Sequence, residues 1–174
     1  MRSRRDGVLL PLLLFFLFFC SALSTSGKVK EVRLGGLFQL FRSTGQQRLI
    51  GFLLAVKEIN EDNTILPNIP IKIVVKDSFT VAKTFFATLD MATNSFNKRG
   101  IDACIGASSS SESEAAATVF SQFSKTQISY SSTVSLLSTK INSPYFARTC
   151  PSDSFQGDAM ASLVAGYGWY VITK

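Results

Sequence analysis

The sequence predicts an α/β fold: a doubly wound, mostly parallel sheet with helices on both faces. Three observations carry that expectation. Apolar or β-branched runs of strand length alternate with longer runs of helical spacing, the pattern of βαβ units. Several of the helical runs are bracketed by cap and turn residues. Three successive strand-like runs end in polar corners, Ser108–Ser111, Tyr130-Ser131-Ser132-Thr133 and Pro151-Ser152-Asp153. In an open α/β sheet, ligands bind in the crevice outside the carboxyl ends of the strands.

The elements follow in order. Val32–Leu40 reads as a strand. Gln46–Asn60 reads as a helix, with Leu49, Phe52, Leu53, Val56 and Ile59 at helical spacing. Glu61–Pro70 is a link with two prolines, and Ile71–Lys76 is a β-branched strand. Val81–Asn97 is a helix carrying Phe85, Phe86, Leu89 and Phe96, closed by Lys98-Arg99-Gly100 as a basic last turn and cap. Ala103–Ala107 is a strand. Ser111–Lys125 is a helix whose Ser111 and Glu114 match the capping-box pattern. Gln127–Ser131 and Tyr145–Cys150 are strands, Ser154–Tyr167 is a helix, and Tyr170–Thr173 begins another strand.

The first 24 residues read as a secretory signal. Arg2, Arg4 and Arg5 precede Val8–Cys20, an apolar run too short to span a bilayer comfortably, and Ala22 and Ser24 suit cleavage after Ser24. The competing reading is a retained signal anchor. Removing Met1–Ser24 lowers the net charge from +6 to +4. The remaining cations form no stripe, which argues against nucleic-acid binding. Residues 25–174 suffice for one domain, and the last predicted strand starts just as the sequence stops, as in the front piece of a longer protein. Cys104 and Cys150 remain after cleavage. A strand between theirs places them roughly 9.6 Å apart, beyond the reach of a disulfide, so both are expected as buried free thiols.

Each polar corner has a ligand reading and a plainer one. Ser109, Ser110 and Ser111 stand where a helix N-terminus offers N–H groups to an anion, or they simply cap the helix. Ser131, Ser132 and Thr133 offer hydroxyls to a carboxylate or ammonium, or close a turn. Asp153 faces an ammonium, or is an N-cap. Arg48 opens the first helix near the same edge, free to meet a second anionic group or only water. Taken together the inventory suits a zwitterion: donors for a carboxylate and an acid for an ammonium. Catalysis is not expected. The chain has no histidine, hence no Ser-His-Asp or Cys-His pair and no His-ligated zinc. Gly106–Ser110 lacks the closing glycine of a nucleophile elbow, and no phosphate or dinucleotide loop is present. No cofactor or metal is expected.

The blocks Ile105–Ser111, Gln127–Thr133 and Phe146–Asp153 closely resemble the Venus-flytrap ligand-binding region of class C G-protein-coupled receptors. That group extends to natriuretic-peptide receptors and periplasmic amino-acid-binding proteins. Leu34-Gly35-Gly36-Leu37-Phe38, Ala55–Asn60, Leu66–Ile69 and Tyr167-Gly168-Trp169 fit the same pattern. The resemblance implies that 25–174 is most of lobe 1 of a type I periplasmic-binding-protein-like fold, incomplete and ending at the crossing to lobe 2. It implies an α-amino acid ligand, with Ser110 at its carboxylate, Thr133 at carboxylate and ammonium, Asp153 at the ammonium and Arg48 at a distal acid, and with Ser109, Ser131 and Ser132 beside them. It further implies the extracellular face of the plasma membrane, attachment through a later C-terminal part, and leaves open a homodimer through lobe 1. One departure is Phe79, which stands where many animal members carry a disulfide-forming cysteine. A transporter's amino-acid-binding component and a guanylate-cyclase-type receptor remain alternatives.

Overall fold

A computed structural model describes residues 30–169. The signal expected at Met1–Ser24 and the strand expected at Tyr170–Thr173 lie outside the described residues. Five strands, β1 (Val32–Phe38), β2 (Ile71–Asp77), β3 (Ala103–Ile105), β4 (Thr126–Ser129) and β5 (Phe146–Arg148), form one sheet in the order β2-β1-β3-β4-β5. Every pairing is parallel. The helices are α1 (Ser43–Glu61), α2 (Val81–Thr93), α3 (Ser110–Gln122) and α4 (Asp153–Gly166).

Side-chain alternation along the strands builds two cores. On one face Phe38 and Ile71 pack with Phe52 and Val56 of α1, joined by Val32, Leu34, Leu49 and Ile59. On the other, Leu37 and Cys104 pack with Met91 and Ala92 of α2 and Ala116 and Phe120 of α3. The chain is therefore doubly wound, as its sequence predicts. Burying a phenylalanine such as Phe38 or Phe120, each 1% exposed, is worth roughly 1.5–3 kcal/mol.

Four expectations about the elements change. Leu53 of α1 turns outward at 41% exposure, because the helix touches the sheet along a narrow stripe. The Val81–Asn97 helix stops at Thr93, and an irregular turn with Phe96 and Asn97 at positive φ leads to Gly100. Within α2, Phe85, Phe86 and Leu89 point outward, while Thr84, Thr88, Met91 and Ala92 are inside. Small side chains let α2 and α3 approach, and the two threonine hydroxyls are satisfied by the backbone, Thr84 donating to Thr80 O (2.8 Å) and Thr88 to Thr84 O (2.6 Å). Finally, both cysteines are free, but only Cys104 is buried; Cys150 is half-buried just past β5. Their strands flank β4, as the spacing argument requires.

On the α1 face lies an apolar cavity of about 580 Å³ lined by Leu34, Phe38, Phe52, Val56, Ile105 and Tyr130 among others. Helix α4 buries none of its described residues.

Candidate functional site

β1 leads to α1 on one face, and β3 leads to α3 on the other. The strand order thus reverses between β1 and β3, which are hydrogen-bonded neighbours. A crevice opens at such a switch point. β3 ends in Gly106, at φ +112°, where a Cβ would lie 2.3 Å from Leu37 O. Only glycine lets the chain leave the sheet this close to β1, and the turn delivers the Ser108–Ser111 corner to the crevice.

The corners meet through hydrogen bonds. Ser131 donates to Ser108 O (2.7 Å), and their hydroxyls lie 3.3 Å apart. Ser132 donates to Ser109 O (3.0 Å) and its hydroxyl lies 2.6 Å from that of Ser113. Val134 N donates to Ser110 Oγ (3.3 Å). Asp153 N, at the start of α4, donates to Thr133 O (2.8 Å). Across the switch point, Arg48 on the second turn of α1 donates to Ser108 Oγ, and its guanidinium carbon lies 5.1 Å from the centre of the Tyr130 ring. All seven expected site residues therefore stand on one edge of the sheet, in or next to one connected network.

They are not equivalent. Ser132 is fully buried and its hydroxyl is consumed by the scaffold; at most its backbone faces a ligand. Ser109 is the N-cap of α3, and Glu112 reaches back to its N–H (3.4 Å). The capping box therefore lies two residues before the Ser111–Glu114 pair expected from the sequence. Glu112 is itself buried and takes two bonds from Gln39 Nε2, both 3.1 Å. Ser110 and Ser131 are half-buried and partly engaged. Among the described residues, the Thr133 hydroxyl and the Asp153 carboxylate have no hydrogen-bond partner, and Arg48 is in no ion pair.

The supporting shell was not legible in the sequence. Ser129 Oγ donates to Ala107 O (2.7 Å) and accepts from Ser131 N (3.3 Å) and Ser132 N (3.1 Å), folding the second corner around itself. Gln127 donates to Gly106 O (2.9 Å) and Ser113 to Ala107 O (3.2 Å). Arg148 of β5 grips the loop below, donating to Ser132 O (3.1 Å) and Val134 O (2.9 Å). Buried polar residues inside apolar strands, Gln127 and Ser129 above all, are the signal that marks such a network. Tyr130 is held between the two regions. Its phenol titrates above its ordinary value because burial outweighs the nearby Arg48 charge. Among the described residues no cluster of His, Cys, Asp or Glu has the makings of a metal site.

An all-parallel sheet with polar groups gathered at its switch point offers a crevice where a ligand can bind. The comparisons name the family. The profile of the receptor family ligand binding region matches residues 47–173. The chain is 32% identical over 168 residues to glutamate receptor 3.1 of Oryza sativa subsp. japonica, covering 92% of this chain and 17% of that protein. It is 32% identical over 140 residues to the extracellular calcium-sensing receptor of Homo sapiens, covering 72% of this chain and 13% of that one. The chain belongs to the receptor family ligand-binding region, as the residue blocks indicated. It spans less than a fifth of the length of these curated relatives.

Proposed function

We propose that this chain supplies one lobe of an extracellular, class C-type receptor's ligand-binding region, and that the ligand is an α-amino acid or close analogue held between two lobes. The observation that carries this reading is the pair of unspent groups at the crevice. The Thr133 hydroxyl and the Asp153 carboxylate sit on corners joined by a 2.8 Å backbone hydrogen bond, with the partly engaged Ser110 and Ser131 beside them. Hydroxyls and the α3 N-terminus suit a carboxylate; Asp153 suits an ammonium. Arg48 suits a second acidic group where the ligand has one. Nothing in this inventory activates a nucleophile, so the site binds and releases its ligand unchanged. Closure of two lobes would shift a conformational population and pass the signal onward. In this reading Met1–Ser24 is removed on secretion, the lobe works outside the cell, a later part of the chain attaches it to the membrane, and two copies associate through this lobe. One relative is named a glutamate receptor, which supports an amino acid ligand.

The test is calorimetry on the full-length protein with a panel of amino acids. Thr133→Ala and Asp153→Asn are each expected to weaken binding about tenfold or more, since a hydrogen bond to a charged group is worth roughly 1.5–3 kcal/mol, while leaving the unfolding midpoint unchanged. If no amino acid binds, or if both variants bind like wild type, the amino-acid reading is wrong.

A further inference from the structure

An exposed arginine loses roughly 2 kcal/mol of rotamer freedom when fixed, so one that must bind an anion gains if it is fixed beforehand. Arg48 is exposed yet seated. Phe52, one turn further along α1, packs on Phe38 with ring centres 5.5 Å apart. Phe38 in turn stacks with Tyr130, with centres 6.0 Å apart and planes within 9°. Arg48 and Phe52 are four residues apart, on one helix face, and both land on this short run of rings. The rings reach across β3 from β1 to the end of β4. The run is anchored at its far end, since Phe38 is 1% exposed, and the Tyr130 hydroxyl donates to Leu37 O (3.4 Å). One donor edge of the guanidinium is held by Ser108. A planar guanidinium has five donors, so most of its edge is left for another partner, and no carboxylate among the described residues takes it.

We infer that Tyr130, backed by Phe38, is a positioning residue that seats the Arg48 guanidinium at the switch point, and that this seat makes the site prefer ligands with a second carboxylate over neutral amino acids. The inference rests on the amino-acid reading of the site and adds to it the residue that sets selectivity. Ser108 holds one nitrogen of the guanidinium, and the Tyr130 ring lies under its carbon. A flat, delocalised cation suits this seat better than a lysine ammonium, a point charge on a flexible stem.

Two measurements on the full-length protein test it. The first compares glutamate with alanine by calorimetry. Tyr130→Leu, which keeps apolar bulk and removes the ring, is expected to weaken glutamate about fivefold, the size of a cation–π contact of intermediate exposure, and to leave alanine within twofold. Tyr130→Phe keeps the ring and the selectivity. Arg48→Ala abolishes the preference for glutamate, and adding Tyr130→Leu to it has no further effect. The second needs no ligand. In protein carrying isotope-labelled arginine, the Arg48 side-chain resonances should be ring-current shifted in wild type and Tyr130→Phe, and should return to the free-arginine position in Tyr130→Leu. Equal weakening of glutamate and alanine in Tyr130→Leu would assign the ring a merely structural role and overturn the inference. So would unshifted Arg48 resonances in wild type, whatever binds. If wild type binds neither amino acid, the parent reading falls, and the selectivity claim falls with it; a Tyr130-dependent shift would then uphold the seat alone.

Discussion

The two helices that open at the candidate site, α3 and α4, start alike and end differently. Each follows a serine in extended conformation, Ser109 and Ser152, and each carries an acid in its first turn, Glu112 and Asp153. They are 13 and 14 residues long. Yet α3 buries six residues, including Ala116, Ala117 and Phe120, whereas α4 buries none, with Phe155 and Met160 more than 65% exposed. The acids follow suit. Glu112 is buried and bonded to Gln39, whereas Asp153 is exposed with its carboxylate free among the described residues. One wall of the crevice is thus packed into the scaffold, although the Ser110 hydroxyl on it only accepts from Val134 N. The other is tethered to the sheet through Asp153 N and Thr133 O and keeps the Asp153 carboxylate without a partner among the described residues. A ligand gains most from groups that have no partner yet.

The largest expected effect tests the packing half of this contrast. Phe120→Ala should destabilise the protein by about 3–5 kcal/mol, the usual cost of emptying a packed aromatic site. Phe155→Ala should change stability by no more than ~0.5 kcal/mol. Urea unfolding of the purified protein compares them. Cys104 packs in the same cluster as Phe120, and burial pushes its thiol pKa well up. Alkylation of Cys104 should therefore be slow in wild type and accelerate in Phe120→Ala alone. Equal costs for the two phenylalanines would show that α4 is packed after all.

A smaller effect separates spent from unspent hydroxyls. Ser132→Ala removes a donor from Ser109 O and a partner from Ser113, and should cost about 1–3 kcal/mol. Thr133→Ala, one residue away, should cost almost nothing in stability and act only on ligand binding. If the two alanine variants melt alike, the division of labour within the second corner is wrong.

The smallest effect is a control at the opposite end of the sheet. Arg33 on β1 binds Asp102, donating from its backbone N–H (2.9 Å) and Nε (3.0 Å) to Oδ2 and from Nη2 to Oδ1. Burial alone would raise the Asp102 pKa, but the Arg33 hydrogen bonds and charge outweigh it and hold it below its ordinary value of 3.8. A depressed carboxylate contributes stability that is fully present above its unfolded pKa and is lost as pH falls through the folded one. Wild type should therefore lose the contribution below about pH 4, and Asp102→Asn should lack it at neutral pH. The Asp102 side chain is 39% exposed, so water screens the pair and the expected loss is about 1 kcal/mol or less. Ligand affinity should not change. Thermal melts from pH 3 to 7 with a binding assay at neutral pH check both parts; a shift in affinity would mean that the far end of the sheet communicates with the crevice.

Periodicity and punctuation determined much of this molecule. The β-branched run at Ile71 and the helical stripe Phe52–Val56–Ile59 fall where the sequence places them, because a strand or helix is specified by its own spacing and end residues. The polar corners were legible for the same reason, and so was their place on one sheet edge, since parallel strands joined by helices bring like ends together. The tertiary structure alone decided which side of α2 faces inward. It turned Phe85 and Phe86 out and Thr84 and Thr88 in, because two helices in close contact leave room only for small side chains. It consumed the Ser132 hydroxyl and, among the described residues, gave that of Thr133 no partner, although the two are adjacent and alike in chemistry. It also set Arg48 on Tyr130, 82 positions later in the chain. Such choices depend on which atoms distant segments bring within 3 or 4 Å, and local sequence carries no record of that distance.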